Sequence, residues 1–132
     1  MVQRFIIVDD DATNNILCKY TIKKAAPTSD VQAFEFPAEA LKYISSAYEN
    51  AEGETTTILF LDINMPEIDG WDFLDEFAKM DDRIHKQFVI YLLSSSIDPS
   101  DKQRAASANF VKGFLSKPLS YADVSKLAAQ NI

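Results

Sequence analysis

The chain has 132 residues, of which 47% are hydrophobic, and its formal net charge is −7 at pH 7. This length fits one domain with a sizeable core and leaves no room for a second full domain. The acidic charge disfavours direct binding to nucleic acid and to anionic membranes, because their phosphates would be repelled. The apolar runs are also far shorter than the roughly 18 residues that a membrane-spanning helix needs.

Cysteine and glycine usage narrows the class of protein further. A single cysteine, Cys18, cannot form an intramolecular disulfide bond. The apolar run near the N-terminus is too short for a signal peptide, so we expect a soluble, cytoplasmic protein. The chain has only three glycines and contains neither GxGxxG nor GxxxxGK, which excludes a glycine-rich nucleotide cradle.

Short apolar runs alternate with longer segments of helical period, which is typical of βα units and of a parallel sheet. We predict five strands, at Phe5–Val8, Val31–Phe34, Ile58–Leu61, Phe88–Leu93 and Phe114–Leu115. We predict five helices, at Ala12–Ala25, Pro37–Glu49, Gly70–Lys79, Pro99–Ser107 and Tyr121–Gln130. The third and fourth strands are continuous enough to be buried on both faces. The polar segment Glu49–Thr57 is predicted to be a solvated loop, and residues 1–132 are expected to form one domain.

Chemically reactive side chains follow the predicted strands at their carboxyl ends, where functional groups of parallel sheets collect. They are Asp9, Asp10 and Asp11 after the first strand, Asp62 after the third, Ser94–Ser96 after the fourth and Lys117 after the fifth. Carboxylates held together repel one another unless a cation lies among them, and their hard oxygens suit Mg²⁺. An ammonium and a hydroxyl opposite such a site supply what a transferring phosphoryl group needs.

Four segments carry a resemblance to a known family: IIVDDD, LFLDINMPEIDGWDFL, a hydroxyl residue after YLL, and FLSKP. They resemble the receiver domain of two-component response regulators, of the stand-alone type that is similar to chemotaxis regulators. The resemblance covers essentially the whole chain. Its most specific part is segment 62–70, where the Asp, the Met-Pro and the Asp-Gly have the family's spacing. It implies a flavodoxin-like, doubly wound, five-stranded parallel sheet of order 2-1-3-4-5.

The resemblance also implies a metal site and a phosphoacceptor. By position, Asp62 would accept the phosphoryl group. Asp10, Asp62 and the main-chain carbonyl of Asn64 would bind Mg²⁺, and Asp9 would act largely through metal-bound water. Asp11 lies outside the family's pattern.

Further residues acquire roles in a conformational switch by the same resemblance. Lys117 would contact the phosphoryl oxygens, and its bond to Pro118 resembles the family's cis peptide. The hydroxyl that responds to phosphorylation is assigned to Ser94, because Ser94 directly follows the apolar run, with Ser95 as the alternative. Phe114 would be the switch aromatic, without the hydroxyl of the more common tyrosine.

The function implied is transfer of a phosphoryl group from a histidine kinase or phosphotransfer protein to Asp62, followed by hydrolysis in the same pocket. The protein would catalyse its own phosphorylation and dephosphorylation, rather than act as an enzyme on a separate substrate. Because no effector domain follows, we expect the output to pass through another, unidentified protein.

Two alternatives stay open at this point. An enzyme of the haloacid dehalogenase type also uses a strand-end aspartate and Mg²⁺, but it needs D-x-D, and Asn64 stands at the second position here. A pseudo-receiver would bind a partner without being phosphorylated.

Three other residues have simpler interpretations. Asp69 is predicted to cap the helix that begins at Gly70, without a catalytic role. Cys18 is predicted to be a small buried hydrophobic residue rather than a reactive thiol. His85 is predicted to be exposed and not a metal ligand, because no second ligand has a suitable spacing.

Overall fold

The computed structural model describes residues 3–49, 56–95, 99–106 and 110–130. One parallel sheet contains the strands β1 (Arg4–Val8), β2 (Asp30–Phe34), β3 (Thr57–Asp62), β4 (Phe88–Ser94) and β5 (Val111–Ser116). The helices are α1 (Ala12–Ala25), α2 (Pro37–Ala47), α3 (Gly70–Ala78), α4 (Asp82–His85), α5 (Pro99–Ala106) and α6 (Tyr121–Gln130). The strand order is β2-β1-β3-β4-β5, which confirms the predicted fold.

Two apolar clusters cover the two faces of the sheet. Residues of α1 and α6, such as Cys18 and Val124, pack on one face, and residues of α2 to α5, such as Ile44 and Phe77, pack on the other. Successive residues of β1 and β3 alternate between the clusters, as the period of a strand requires. All six residues of β3 are buried, so the central strand is covered on both sides as predicted.

The strand β5 is longer than predicted, since it spans Val111–Ser116 instead of Phe114–Leu115. Lys112 and Gly113 interrupt the apolar pattern, but β5 is an edge strand that pairs through its backbone with β4. Such pairing does not require an apolar side chain at each position.

The segment before β3 and the chain after α3 also differ from prediction. Thr57, placed in the solvated loop, is instead the fully buried first residue of β3, while residues 50–55 of that loop lie outside the described residues. The short helix α4 was not predicted. α2 ends at Ala47 and α3 at Ala78, so these two helices are slightly shorter than predicted.

The prediction that His85 is exposed was wrong. Its side chain is only 11% exposed. The ring lies between Phe77 and Phe110, with centroid distances of 4.9 Å and 4.5 Å, and Nε2 lies 2.7 Å from the main-chain oxygen of Phe77. Folding brings these aromatic rings to a histidine that lies in a mostly polar segment of the sequence. Cys18, by contrast, is buried as predicted.

None of the helices in the described part of the chain has the length and apolar character needed to span a membrane.

Candidate functional site

The carboxyl ends of the strands bring the predicted acidic residues together. Asp62 ends β3, and Asp9 and Asp10 directly follow β1. These three residues each offer a carboxylate oxygen, and the three oxygens lie within 4.8 Å of one another. Asp9 is fully buried and Asp62 is 3% exposed, whereas Asp10 lies at the surface. The cluster is therefore open to solvent on the side of Asp10.

Lys117 lies between the two buried carboxylates. Its Nζ atom is 2.7 Å from Oδ2 of Asp9 and 3.2 Å from Oδ1 of Asp62. The main-chain N–H of Asn64 also donates to Oδ1 of Asp62, at 3.2 Å. One ammonium thus contacts two of the three carboxylates, and the cluster keeps an excess of negative charge.

Burial and neighbouring charges both shift the pKa values of the cluster. Burial first, and then the charge of Asp9, raise the pKa of Asp62 from 3.8 to about 6, although Lys117 and the Asn64 N–H act in the opposite direction. Burial lowers the pKa of Lys117, but its contacts with Asp9 and Asp62 outweigh burial, and that pKa is raised overall. The lysine is therefore charged at neutral pH. The ionised form of Asp62, by contrast, is less favourable than that of an exposed aspartate.

This donor set fits a hard divalent cation. Several carboxylate oxygens within reach of one another are the ligands that Mg²⁺ takes, and a second positive charge would relieve their repulsion. The main-chain carbonyl of Asn64 belongs to an exposed residue two positions after Asp62. The acidic cluster could thus hold a metal, with Asp10 on the side where an ion would enter.

The predicted switch residues lie on β4 and β5, and Ser94 is the one that contacts a residue of the acidic site. Ser94 ends β4 and is 1% exposed, and its main-chain oxygen accepts a 3.0 Å hydrogen bond from the N–H of Lys117. Ser95 is exposed, and Ser96 lies outside the described residues. Phe114 is half-buried against the cluster that contains Phe77. The Lys117–Pro118 peptide bond is cis, as expected.

Gly70 allows α3 to approach the end of β3 closely. A Cβ atom at Gly70 would lie 2.8 Å from the main-chain oxygen of Asp62 and 2.9 Å from Cα of Ile63. The N–H of Gly70 donates to the main-chain oxygen of Ile63 at 2.9 Å. Asp69 caps α3, as predicted, in a reciprocal capping box with Asp72. A side chain at position 70 would therefore displace the strand end that carries Asp62.

Sequence reasoning missed the residues of α1 that contact Asp9. Nδ2 of Asn14 donates to Oδ2 of Asp9 at 2.6 Å, and Nδ2 of Asn15 donates to the main-chain oxygen of Asp9 at 2.9 Å. Asp11, which lies outside the family's pattern, is the N-cap of α1. The sequence signal for these contacts is a pair of asparagines in the first turn of a helix that directly follows the acidic end of a strand.

The comparison with protein families settles what kind of domain carries this site. The family model of the response regulator receiver domain matches residues 5–129. The chain belongs to this family. Receiver domains act in two-component signalling, and the cluster of Asp9, Asp10 and Asp62 fits the family's site for phosphorylation and Mg²⁺.

Individual relatives agree with this assignment. The receiver domain is 26% identical over 121 residues to the probable methanogenesis regulatory protein FilR2 of Methanothrix harundinacea, covering 92% of this chain and 76% of the relative. It resembles the crystal structure of a two-component response regulator from Cytophaga hutchinsonii, with a TM-score of 0.85, 27% identity, and coverage of 98% and 96%. The chemotaxis protein CheY4 of Vibrio cholerae shares the fold, with a TM-score of 0.76, 20% identity and full coverage of both chains.

Proposed function

We propose that this receiver domain accepts a phosphoryl group on Asp62 from a histidine kinase or a phosphotransfer protein. The observation that carries the proposal is the position of Asp62 at the end of a central strand, 3% exposed and 3.2 Å from the ammonium of Lys117. In the transfer, a carboxylate oxygen of Asp62 would bond to phosphorus while the bond from phosphorus to the donor histidine breaks. The imidazole would leave as the neutral group after taking up a proton.

Mg²⁺ is part of this proposal. Asp10, Asp62 and the carbonyl of Asn64 would bind it directly, and Asp9 through water. Both oxygens of Asp9 already accept hydrogen bonds from protein donors, which favours an indirect role for that residue. When bound, the cation would neutralise part of the charge on the phosphoryl oxygens.

Lys117 and Ser94 are proposed to bind the phosphoryl oxygens. The ammonium would contact one oxygen, and the hydroxyl of Ser94 would donate to another, with Ser95 as the alternative donor. Water would later attack phosphorus and release inorganic phosphate, which regenerates the carboxylate of Asp62. The domain would in this way promote both its own phosphorylation and its own dephosphorylation.

The output is proposed to pass through a protein partner. Movement of Ser94 toward the phosphoryl group would open space for Phe114, and the surface of α5, β5 and α6 would repack. A two-state element of this kind responds only if phosphorylation favours one state over the other. The cytoplasmic location, the single-domain organisation over residues 1–132 and the stand-alone action stay predictions.

Labelling with a small phosphodonor tests the proposal. Acetyl phosphate with Mg²⁺ should add one phosphoryl group to the wild type, located at Asp62 by mass spectrometry. Asp62→Asn should not label, whereas Asp69→Asn should label like the wild type, because asparagine also caps a helix. No labelling of the wild type would favour a pseudo-receiver, and labelling of Asp62→Asn would move the acceptor elsewhere.

A further inference from the structure

The side-chain amide of Asn14 is held between two acceptors beside the acidic cluster. Its Nδ2 atom lies 2.6 Å from Oδ2 of Asp9 and 3.5 Å from Sγ of the buried Cys18. An amide nitrogen carries two hydrogens, so one can point to each acceptor. Asn14 lies in the first turn of α1, which Asp11 caps, and the helix fixes the position of the amide.

Asn14 and Lys117 donate to the same oxygen. Oδ2 of Asp9 accepts from both, at 2.6 Å and 2.7 Å, while Oδ1 of Asp9 accepts from the N–H of Asp11 at 2.9 Å. Asp9 is fully buried, so the loss of a donor leaves a buried carboxylate oxygen with fewer hydrogen bonds. A buried carboxylate that loses its cation carries a large penalty unless other donors remain.

The proposed reaction requires Lys117 to change partners, and the inference rests on that proposed function. Before transfer, the ammonium lies between Asp9 and Asp62. After transfer, the negative charge is on the phosphoryl oxygens, and the proposed contact with them would draw the ammonium away from Oδ2 of Asp9. Oδ2 has two donors among the described residues, and of these the amide of Asn14 is attached to a helix and does not have to move.

We propose that Asn14 is a positioning residue that keeps Oδ2 of Asp9 hydrogen-bonded while Lys117 moves to the phosphoryl group. Asn14 touches neither the phosphoacceptor nor the phosphoryl group, and it acts through Asp9 and Lys117. A side chain of similar size without a donor would leave Oδ2 of Asp9 dependent on Lys117 alone, while Oδ1 kept the N–H of Asp11. The ammonium would then be held more tightly at Asp9, and phosphorylation of Asp62 would slow.

The first test compares Asn14→Leu with the wild type at saturating Mg²⁺ and acetyl phosphate. We expect the rate of Asp62 labelling to fall about tenfold, the size typical of a hydrogen bond to a charged group. Asn14→Gln keeps the donor and should label within about threefold of the wild type. Thr13→Ala is the matched control, because Thr13 is an exposed residue of the same helical turn, and it should label normally.

The second test asks whether Asn14 acts through the lysine. In a Lys117→Met background there is no ammonium to move, so adding Asn14→Leu should change the labelling rate less than about twofold. A merely structural role would give the same tenfold loss in both backgrounds. Equal rates for the wild type and Asn14→Leu, or an equal loss in the Lys117→Met background, would overturn the inference while leaving Asp62 as the acceptor. If the wild type itself does not label at Asp62, the proposed function fails first and the inference fails with it.

Discussion

The two ends of the sheet bury polar groups in opposite ways. At the amino ends of the strands, the hydroxyls of Tyr48 and Thr57 lie 3.0 Å apart, and Nε2 of Gln87 donates to the main-chain oxygens of Tyr48 and Arg83 at 3.1 Å and 2.9 Å. These buried groups are neutral and satisfied. At the carboxyl ends, acidic side chains crowd around Lys117. The buried groups at the amino ends thus satisfy one another, whereas the carboxyl ends keep an excess of negative charge that favours a cation.

The largest expected effect is at the amino ends of the strands, where the buried polar groups are neutral. Phe77 is fully buried among the rings of His85, Phe88 and Phe110. Phe77→Ala should lower the free energy of unfolding by about 4 kcal/mol, because it removes apolar contacts and leaves a cavity. Urea unfolding with and without Mg²⁺ should give the same loss.

Phe36→Ala is the control for this substitution. Phe36 is 60% exposed, so its replacement should change the free energy of unfolding by less than about 0.5 kcal/mol. If the loss of stability in Phe77→Ala depended strongly on Mg²⁺, the packing around Phe77 and the acidic cluster would not contribute independently to stability.

The next largest effect on stability is expected at the carboxyl ends of the strands, where Lys117 contacts the acidic cluster. Without Mg²⁺, Lys117→Met should destabilise the fold by about 3 kcal/mol, because it leaves Asp9 and Asp62 buried without their cation. Added Mg²⁺ should recover part of the loss. Lys112→Met, at an exposed position of β5, is the matched control and should be nearly neutral. Equal stability of the two variants in EDTA would show that Lys117 does not compensate the acidic cluster.

Features that depend on local sequence patterns could be predicted, whereas contacts that depend on tertiary packing could not. The bounds of α1 agree with prediction at Ala12–Ala25, and the site residues follow the ends of apolar runs, because both depend on local patterns. The burial of His85 depends on Phe110, and the bond from Asn14 to Asp9 depends on how α1 leaves β1. Tertiary packing decides such contacts. A polar residue in a helix therefore does not by itself indicate whether it is solvated or belongs to a site.

A smaller effect of opposite sign is expected at Asp62. In EDTA at neutral pH, Asp62→Asn should stabilise the fold by about 2 kcal/mol, because it removes a charge held next to Asp9, and loss of the Lys117 contact offsets part of the gain. The pKa of Asp62 is raised to about 6, so the wild type should lose stability as the pH rises from about 4 through 6. Asp62→Asn should lack this loss. Thermal unfolding across that range is the measurement, and a destabilised Asp62→Asn in EDTA would show that the Lys117 contact outweighs the repulsion.

The smallest expected effect is the response to the cation itself. Free Mg²⁺ at ten times its dissociation constant should add about 1.4 kcal/mol of stability to the wild type, since an ion that binds only the folded state shifts the equilibrium by mass action. Asp10→Asn should abolish most of this gain, because it removes the exposed carboxylate of the cluster. Asp11→Asn keeps a side chain that can cap α1 and should respond like the wild type. Melting temperatures measured against Mg²⁺ concentration distinguish the two variants. An unchanged response in Asp10→Asn would show that Asp10 is not a ligand of the metal. The proposal that Mg²⁺ balances the negative charge of the acidic cluster would then fail.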